Sequence, residues 1–81
     1  MKLEIISPEQ IIFSGKVSLV TVPGTKGRFT ILEHHAPIIS SLEKGIITYR
    51  VDGNDVNIHS NGGFVEVSDN TVSIAIEEIS E

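Results

Sequence analysis

The chain predicts an all-β fold, a small sandwich or barrel of short and mainly antiparallel strands, and three observations predict it. Apolar and polar residues alternate at period two through "VDGNDVNIHS" and "GGFVEVSDNTVSIAI". Residue pairs that bend the backbone recur at short intervals: Ser14-Gly15, Pro23-Gly24, Lys44-Gly45, Asp52-Gly53, Gly62-Gly63 and Asp69-Asn70. No stretch carries a helical apolar period; the nearest case, "APIISSLEK", is short, holds serines and isoleucines, and starts at a proline. Strands of about 5 to 7 residues at this spacing suit a small sandwich or barrel.

Taken in order, the segments justify this class. In "KVSLVTVPG" the apolar residues are Val17, Leu19, Val20 and Val22, so the alternation changes phase, as at a bulge or in a strand passing between two sheets. "GTKGR" reads as a hairpin tip with its charges in water; it lacks the lysine-serine or lysine-threonine ending of a nucleotide-binding loop. "FTILEHHAPIISSL" carries Phe29, Ile31, Leu32, Ala36, Ile38, Ile39 and Leu42, more apolar surface than one inner strand face buries, which points to a protein interface. Asp52-Gly53 is the strongest two-residue hairpin signal. After it, Val56 and Ile58 are expected to face inward, with Asp55, Asn57 and His59 outward. In the last strand Val72, Ile74 and Ile76 share one face opposite Thr71, Ser73 and Ala75.

With 81 residues, the chain has room for one domain, residues 1–81, with a small core. It has no cysteine, which excludes disulfides, thiolate metal sites and thiol nucleophiles. The opening "MKLEIISPEQ" has neither the apolar run of a signal peptide nor the arginine-rich look of a transit peptide, and a cytosolic chain is expected. Six lysines and arginines stand against eleven acidic residues, for a net charge of −5. No cation follows Arg50, whereas Asp52, Asp55, Glu66, Asp69, Glu77, Glu78 and Glu81 do. Such a chain repels phosphate, so nucleic acid is excluded as a partner.

The residues supply little for catalysis. His34 and His35 are adjacent; in an extended segment they point to opposite sides and cannot share a metal, and Glu33, Glu43 or His59 would have to be recruited. No serine lies in a nucleophile elbow. The carboxylates fall in turns or on outward strand positions, without the contrasted environments of an acid and base pair. No catalytic residue, cofactor site or metal site is expected.

"SPEQIIFSG", "VPGTKGRFTIL" followed by "HHAPII", "KGIITYRV" and "NGGFVEV" occur in the order and spacing of another set of proteins. Over essentially its whole length the chain resembles the N-terminal β-sandwich of the ε subunits of F-type ATP synthases. The resemblance implies a flattened sandwich of about ten short strands. It also implies a non-catalytic rotor subunit at the cytoplasmic face of the bacterial inner membrane, bound to the γ subunit and to the polar loops of the c ring, with no self-assembly needed. Carried over residue by residue, His35, Ala36 and Pro37 match the family's histidine-alanine-proline motif, and Ile38, Ile39 and Ser40 continue it toward γ. Ser7 lies in the matching early turn, which also faces γ. Lys26, Gly27, Arg28 and Phe29 match the hairpin that rests on the c ring.

The chain departs from that pattern in three places. Relatives often have glycine where His34 stands, and acidic residues where Lys26 and Arg28 stand. Typical members continue past the sandwich into two C-terminal helices that inhibit ATP hydrolysis, whereas this sequence stops at Glu81. If the 81 residues are the whole protein, inhibition and ATP sensing through those helices are expected to be absent. Two rival classes fit the size: a lipoyl or biotinyl carrier, for which Lys26 or Lys44 lacks the flanking signature, and an oligonucleotide-binding barrel, for which the acidic chain offers only Phe13, Phe29, Tyr49 and Phe64. The chain is expected to bind no ATP; calorimetry that detects micromolar binding would contradict this.

Overall fold

The computed structural model describes residues 1–77. Glu78 and Glu81 of the acidic run, and the stop at Glu81, lie outside the described residues. Nine strands run in chain order: β1 (Lys2–Ile6), β2 (Ile11–Lys16), β3 (Leu19–Gly24), β4 (Gly27–Leu32), β5 (Ile38–Leu42), β6 (Gly45–Val51), β7 (Asn54–Ser60), β8 (Gly63–Ser68) and β9 (Thr71–Ile76). They confirm the all-β reading, with nine strands among the described residues where about ten were expected. All pairings are antiparallel except β1 with β9.

The strand order is β2-β1-β9-β8-β5-β3-β6-β7, with β4 on β3. Between β5 and β3 a single residue pair holds the path together, Gly24 opposite Leu42. The sheet is thus two sheets joined at one corner: five strands, β2-β1-β9-β8-β5, curl over four, β4-β3-β6-β7. The chain rounds the corner at Glu43-Lys44, where the Glu43 amide donates to the Pro23 carbonyl at 2.9 Å. Close approach requires a glycine here: a Cβ on Gly24 would lie 2.8 Å from both the Gly27 carbonyl oxygen and the Phe29 ring.

The two inner faces share one core. Leu3, Ile5, Val65, Val67, Val72, Ile74 and Ile76 from the five-stranded sheet meet Val20, Val22, Ile31, Ile47 and Tyr49 from the other. Phe13 and Tyr49 close one side with ring centroids 4.5 Å apart, and burial pushes the Tyr49 phenol up from its ordinary value. Among the described residues Ser60 is the buried polar one, and its hydroxyl accepts from the Gly62 amide at 3.1 Å.

Several local expectations change. Of the two readings of "KVSLVTVPG", the strand passing between sheets is the one seen: β3 pairs with β6 through Leu19, Val20 and Thr21 and with β5 at Gly24, its pairing with β4 has no register shift, and Val17 lies buried in the link before it. The bulge lies instead between Ile5 and Ile6. Ser14-Gly15 is not a turn but part of β2, paired with Glu4 and Leu3. Pro23-Gly24 likewise ends β3, and the turn is Thr25-Lys26. Asp52-Gly53 and Asp69-Asn70 are two-residue hairpin loops with positive φ at both positions, as the twist of the flanking strands favours. Val56 does not face a closed core: it is 37% exposed, because β7 is outermost and the other sheet does not reach over it.

Gly63 opens β8 at a φ of 151°, and a Cβ there would collide with the Ala75 carbonyl oxygen of the neighbouring strand. Gly63→Ala is expected to cost about 2 to 4 kcal/mol of stability, read as a lowered urea midpoint. An unchanged midpoint would contradict this backbone geometry.

Candidate functional site

Because side chains alternate, each sheet also has an outer face, and the two outer faces differ in chemistry. On the four-stranded sheet, strand register aligns Thr30, Thr21, Thr48 and Asn57 in one row. The Thr21 and Thr30 hydroxyls lie 2.9 Å apart, and the Thr48 hydroxyl donates to Asn57 Oδ1 at 2.7 Å. Arg50 and Asp55 form an ion pair at 2.7 Å, which holds the Asp55 carboxyl below its ordinary value. The polar side chains of this face are largely hydrogen-bonded within it, while Leu32 and Ile46 are its exposed large apolar residues.

The outer face of the five-stranded sheet carries an apolar row beside a polar one, in which Glu66, Ser73, Glu4 and Ser14 follow Ile39. Register places Ser41, Phe64, Ala75, Ile6 and Ile11 in one row across all five strands. Phe64 is 62% exposed and Ile11 64%, and beside the row Ile39 reaches 74%. A large apolar face left in water marks an interaction surface. Ile39, Phe64, Glu66, Ser73 and Ala75 line a shallow depression on it.

The sequence-predicted γ-facing residues lie around this face. Ser7 sits in the turn after β1, where its amide donates to the Gln10 carbonyl at 2.9 Å, beside the Ile6 and Ile11 end of the row. Ile38, Ile39 and Ser40 belong to β5, the outermost strand of this face before the corner. Ile39 points out, whereas Ile38 is half-buried and packs on the core. His35, Ala36 and Pro37 form the loop leading into β5, with His35 Nδ1 at 2.7 Å from the Ala36 carbonyl oxygen.

Glu33-His34 is a turn rather than an extended segment. The His35 amide donates to the Leu32 carbonyl at 3.2 Å, and His34 takes a φ of 62°. That positive φ at the third position of the turn favours glycine, a physical reason for the glycine that the resemblance leads one to expect there. A clasp holds the turn in place. Asn70 Nδ2 donates to Glu33 Oε1 at 3.0 Å, Asn70 Oδ1 accepts from the His34 amide at 2.8 Å, and the Met1 ammonium lies 2.6 Å from Glu33 Oε2. The hydrogen bond from the Met1 ammonium, then that from Asn70, lowers the Glu33 pKa.

The predicted ring-facing residues divide between two settings. Lys26 and Gly27 are exposed at the β3–β4 tip, and Phe29 is half-buried on the core. Arg28 lies back across β3, its guanidinium donating to the Ile46 carbonyl at 2.5 Å and to the Thr48 hydroxyl at 3.3 Å. The tip touches β5: the Thr25 amide donates to the Ser41 carbonyl at 3.1 Å, so the two predicted contact regions meet along a groove of about 490 Å³. Among the described residues no group of three His, Asp or Glu side chains is placed to hold a metal.

Sequence reasoning missed Phe64, Ile6 and Ile11 as surface residues, whereas it did set Ala75 opposite the buried face of its strand. The signal was present in "GGFVEV": if Val65 and Val67 face in, Phe64 faces out.

The sequence profile of the ATP synthase delta/epsilon chain β-sandwich domain matches residues 1–81. The chain belongs to this family. It is 45% identical over 74 residues to the ATP synthase epsilon chain of Leptospira borgpetersenii, covering 91% of this chain and 58% of the relative. The epsilon chain of Desulfitobacterium hafniense is 47% identical over 72 residues, covering 89% of this chain and 54% of the relative. The chain thus spans little more than half the length of these delta/epsilon family relatives. Two solved structures share the fold. One is a chain of the Euglena gracilis mitochondrial ATP synthase, described as OSCP/F1/c-ring, with a TM-score of 0.89, 23% identity, and 96% of this chain and 51% of that chain covered. The other belongs to the central stalk and c ring of the Tetrahymena thermophila mitochondrial ATP synthase, with a TM-score of 0.82, 20% identity, and 99% of this chain and 65% of that chain covered.

His34→Gly is expected to stabilise the fold by about 0.5 to 1 kcal/mol, seen as a raised urea midpoint, because it relieves the positive φ. A lowered midpoint would show that the histidine side chain contributes more than the backbone strain costs.

Proposed function

We propose that the chain is the β-sandwich of an ATP synthase ε subunit and that it docks on the γ subunit through the outer face of the five-stranded sheet. The observation that carries this reading is the exposed row of Phe64, Ala75, Ile6 and Ile11 with Ile39 beside it. The Ser7 turn lies at one end of this face and the His35-Ala36-Pro37 loop at the other. The loop, Ile39 and Ser40 form the rim, and Ile38 seats β5 from the core side. The tip residues Lys26 and Gly27 contact the polar loops of the c ring, with Arg28 and Phe29 fixing the hairpin from behind.

In this role the subunit performs no chemistry. It transmits torque between the c ring and γ, so that ion flow through the ring is coupled to ATP synthesis elsewhere in the complex. Torque transmission favours a rigid body, and here two sheets share one core while Arg28 pins the hairpin to β6. The site of action is the cytoplasmic face of the bacterial inner membrane, reached through the complex. The names of the matched relatives support the assignment, as do the complexes to which the structural neighbours belong.

The test is calorimetric titration into the γ subunit of the same organism. The natural chain should bind one to one. Ile39→Asp and Phe64→Glu should keep their thermal unfolding yet bind at least roughly tenfold more weakly, since each places a charge in an apolar contact. Natural affinity in both variants would overturn the assignment of this face. Ile38→Asp should lose stability first, because Ile38 packs on the core.

A further inference from the structure

The outermost strand β7 has the features of a docking strand, and they do not depend on the apolar face. Exposed strand edges offer unpaired backbone groups, and proteins blunt them with lysine, proline or bulges. The outermost β2 is blunted in this way: its pairing with β1 shifts register, and it ends at Lys16. β7 has none of these devices. Its seven residues pair with β6 without a register shift, from Asn54 opposite Val51 to Ser60 opposite Gly45. Its one acidic residue, Asp55, is already paired with Arg50.

The two-residue loop Asp52-Gly53 determines which backbone groups are free. In such a hairpin the flanking pair Val51 and Asn54 is hydrogen-bonded, and hydrogen-bonded pairs then recur at every second residue. Asn54, Val56, Ile58 and Ser60 therefore direct their amides and carbonyls to β6. Asp55, Asn57 and His59 direct theirs away from the molecule.

We propose that this edge pairs with the same edge of a second copy, antiparallel and centred on Asn57. The strand is self-complementary in that register. Asn57 faces Asn57, Asp55 faces His59 twice, and Val56 faces Ile58 twice. The free groups of Asp55, Asn57 and His59 then meet as hydrogen-bonded pairs, and the four-stranded sheet continues into its copy. Asp55 and Asn57 stay on the polar outer face, where the carboxylate keeps lone pairs for the partner's imidazole while bound to Arg50. On the inner face the half-covered Val56 and Ile58 gain apolar neighbours. Such a contact is small, so the dimer is weak and forms at high concentration. It leaves the outer face of the five-stranded sheet free, and the role proposed above does not require it.

Sedimentation equilibrium of the whole chain from about 10 µM to about 1 mM, a range suited to small interfaces, should show mass rising from 8.8 kDa toward twice that value. Asn57→Pro removes an amide donor that the monomer leaves to water, and proline is tolerated on an edge strand at such a position. It should raise the dissociation constant at least tenfold with the circular dichroism spectrum retained. His59→Asp, which sets two carboxylates opposite each other, should do the same if the proline variant misfolds. In this cysteine-free chain Asn57→Cys should form a symmetric disulfide under mild oxidation, since paired strands bring the two Cα atoms to about 5.5 Å. A monomer at every concentration, without the disulfide, would overturn the proposal. So would a dimer that survives Asn57→Pro and His59→Asp but is lost in Phe64→Glu, because association would then run through the apolar face.

Discussion

One residue pair holds the architecture together. Gly24 faces Leu42 where the five-stranded and four-stranded sheets meet, and nothing bulkier than glycine fits between the Gly27 carbonyl and the Phe29 ring. With backbone contact at this corner, β5 and β6 lie end to end along β3, one in each sheet. The two inner faces then close on a single aliphatic core. Closure also decides which residues face outward, and therefore what the surface offers to other molecules.

The contrast between the outer faces follows from side-chain alternation alone. The four-stranded sheet turns threonines, Arg28, Arg50 and Asp55 to water, and they satisfy one another. The five-stranded sheet turns Phe64, Ile6, Ile11 and Ile39 out, and these have no partner within the described residues. Desolvating such a surface against a complementary one is favourable by roughly 25 cal/mol for each Å² of apolar area removed from water. An exposed apolar row on one sheet, a largely hydrogen-bonded opposite sheet and a projecting hairpin are the features on which the proposed place between γ and the c ring rests.

Much of this was legible in the amino-acid order. Period-two alternation in 71–76 puts Val72, Ile74 and Ile76 in the core, where they are buried. Asp52-Gly53 and Asp69-Asn70 mark hairpins because tight two-residue loops need positive φ at both positions. Strand neighbourhood, by contrast, was not legible. Val56 obeys the inward alternation yet is exposed, because β7 is outermost, and a local pattern carries no information on sheet order. Of the large apolar residues in 29–42, Ile31 and Leu42 are buried, Phe29 and Ile38 pack on the core and Leu32 is exposed on the other sheet, so Ile39 alone stands beside the exposed row of Phe64, Ile6 and Ile11, which long-range pairing brings together. His34 in a left-handed conformation was likewise hidden, since histidine gives no turn signal of its own.

The central claim is that the outer face of the five-stranded sheet is the surface that meets γ. Isoleucine δ1-methyl spectra of the chain, recorded as γ is added, test it most directly because isoleucines mark both outer faces and the core. The signals of Ile6, Ile11 and Ile39 should shift or broaden, while those of Ile46 and Ile58 on the four-stranded sheet stay in place. Perturbation of Ile46 and Ile58 with Ile6, Ile11 and Ile39 unchanged would contradict the account and move the docking surface to the opposite sheet.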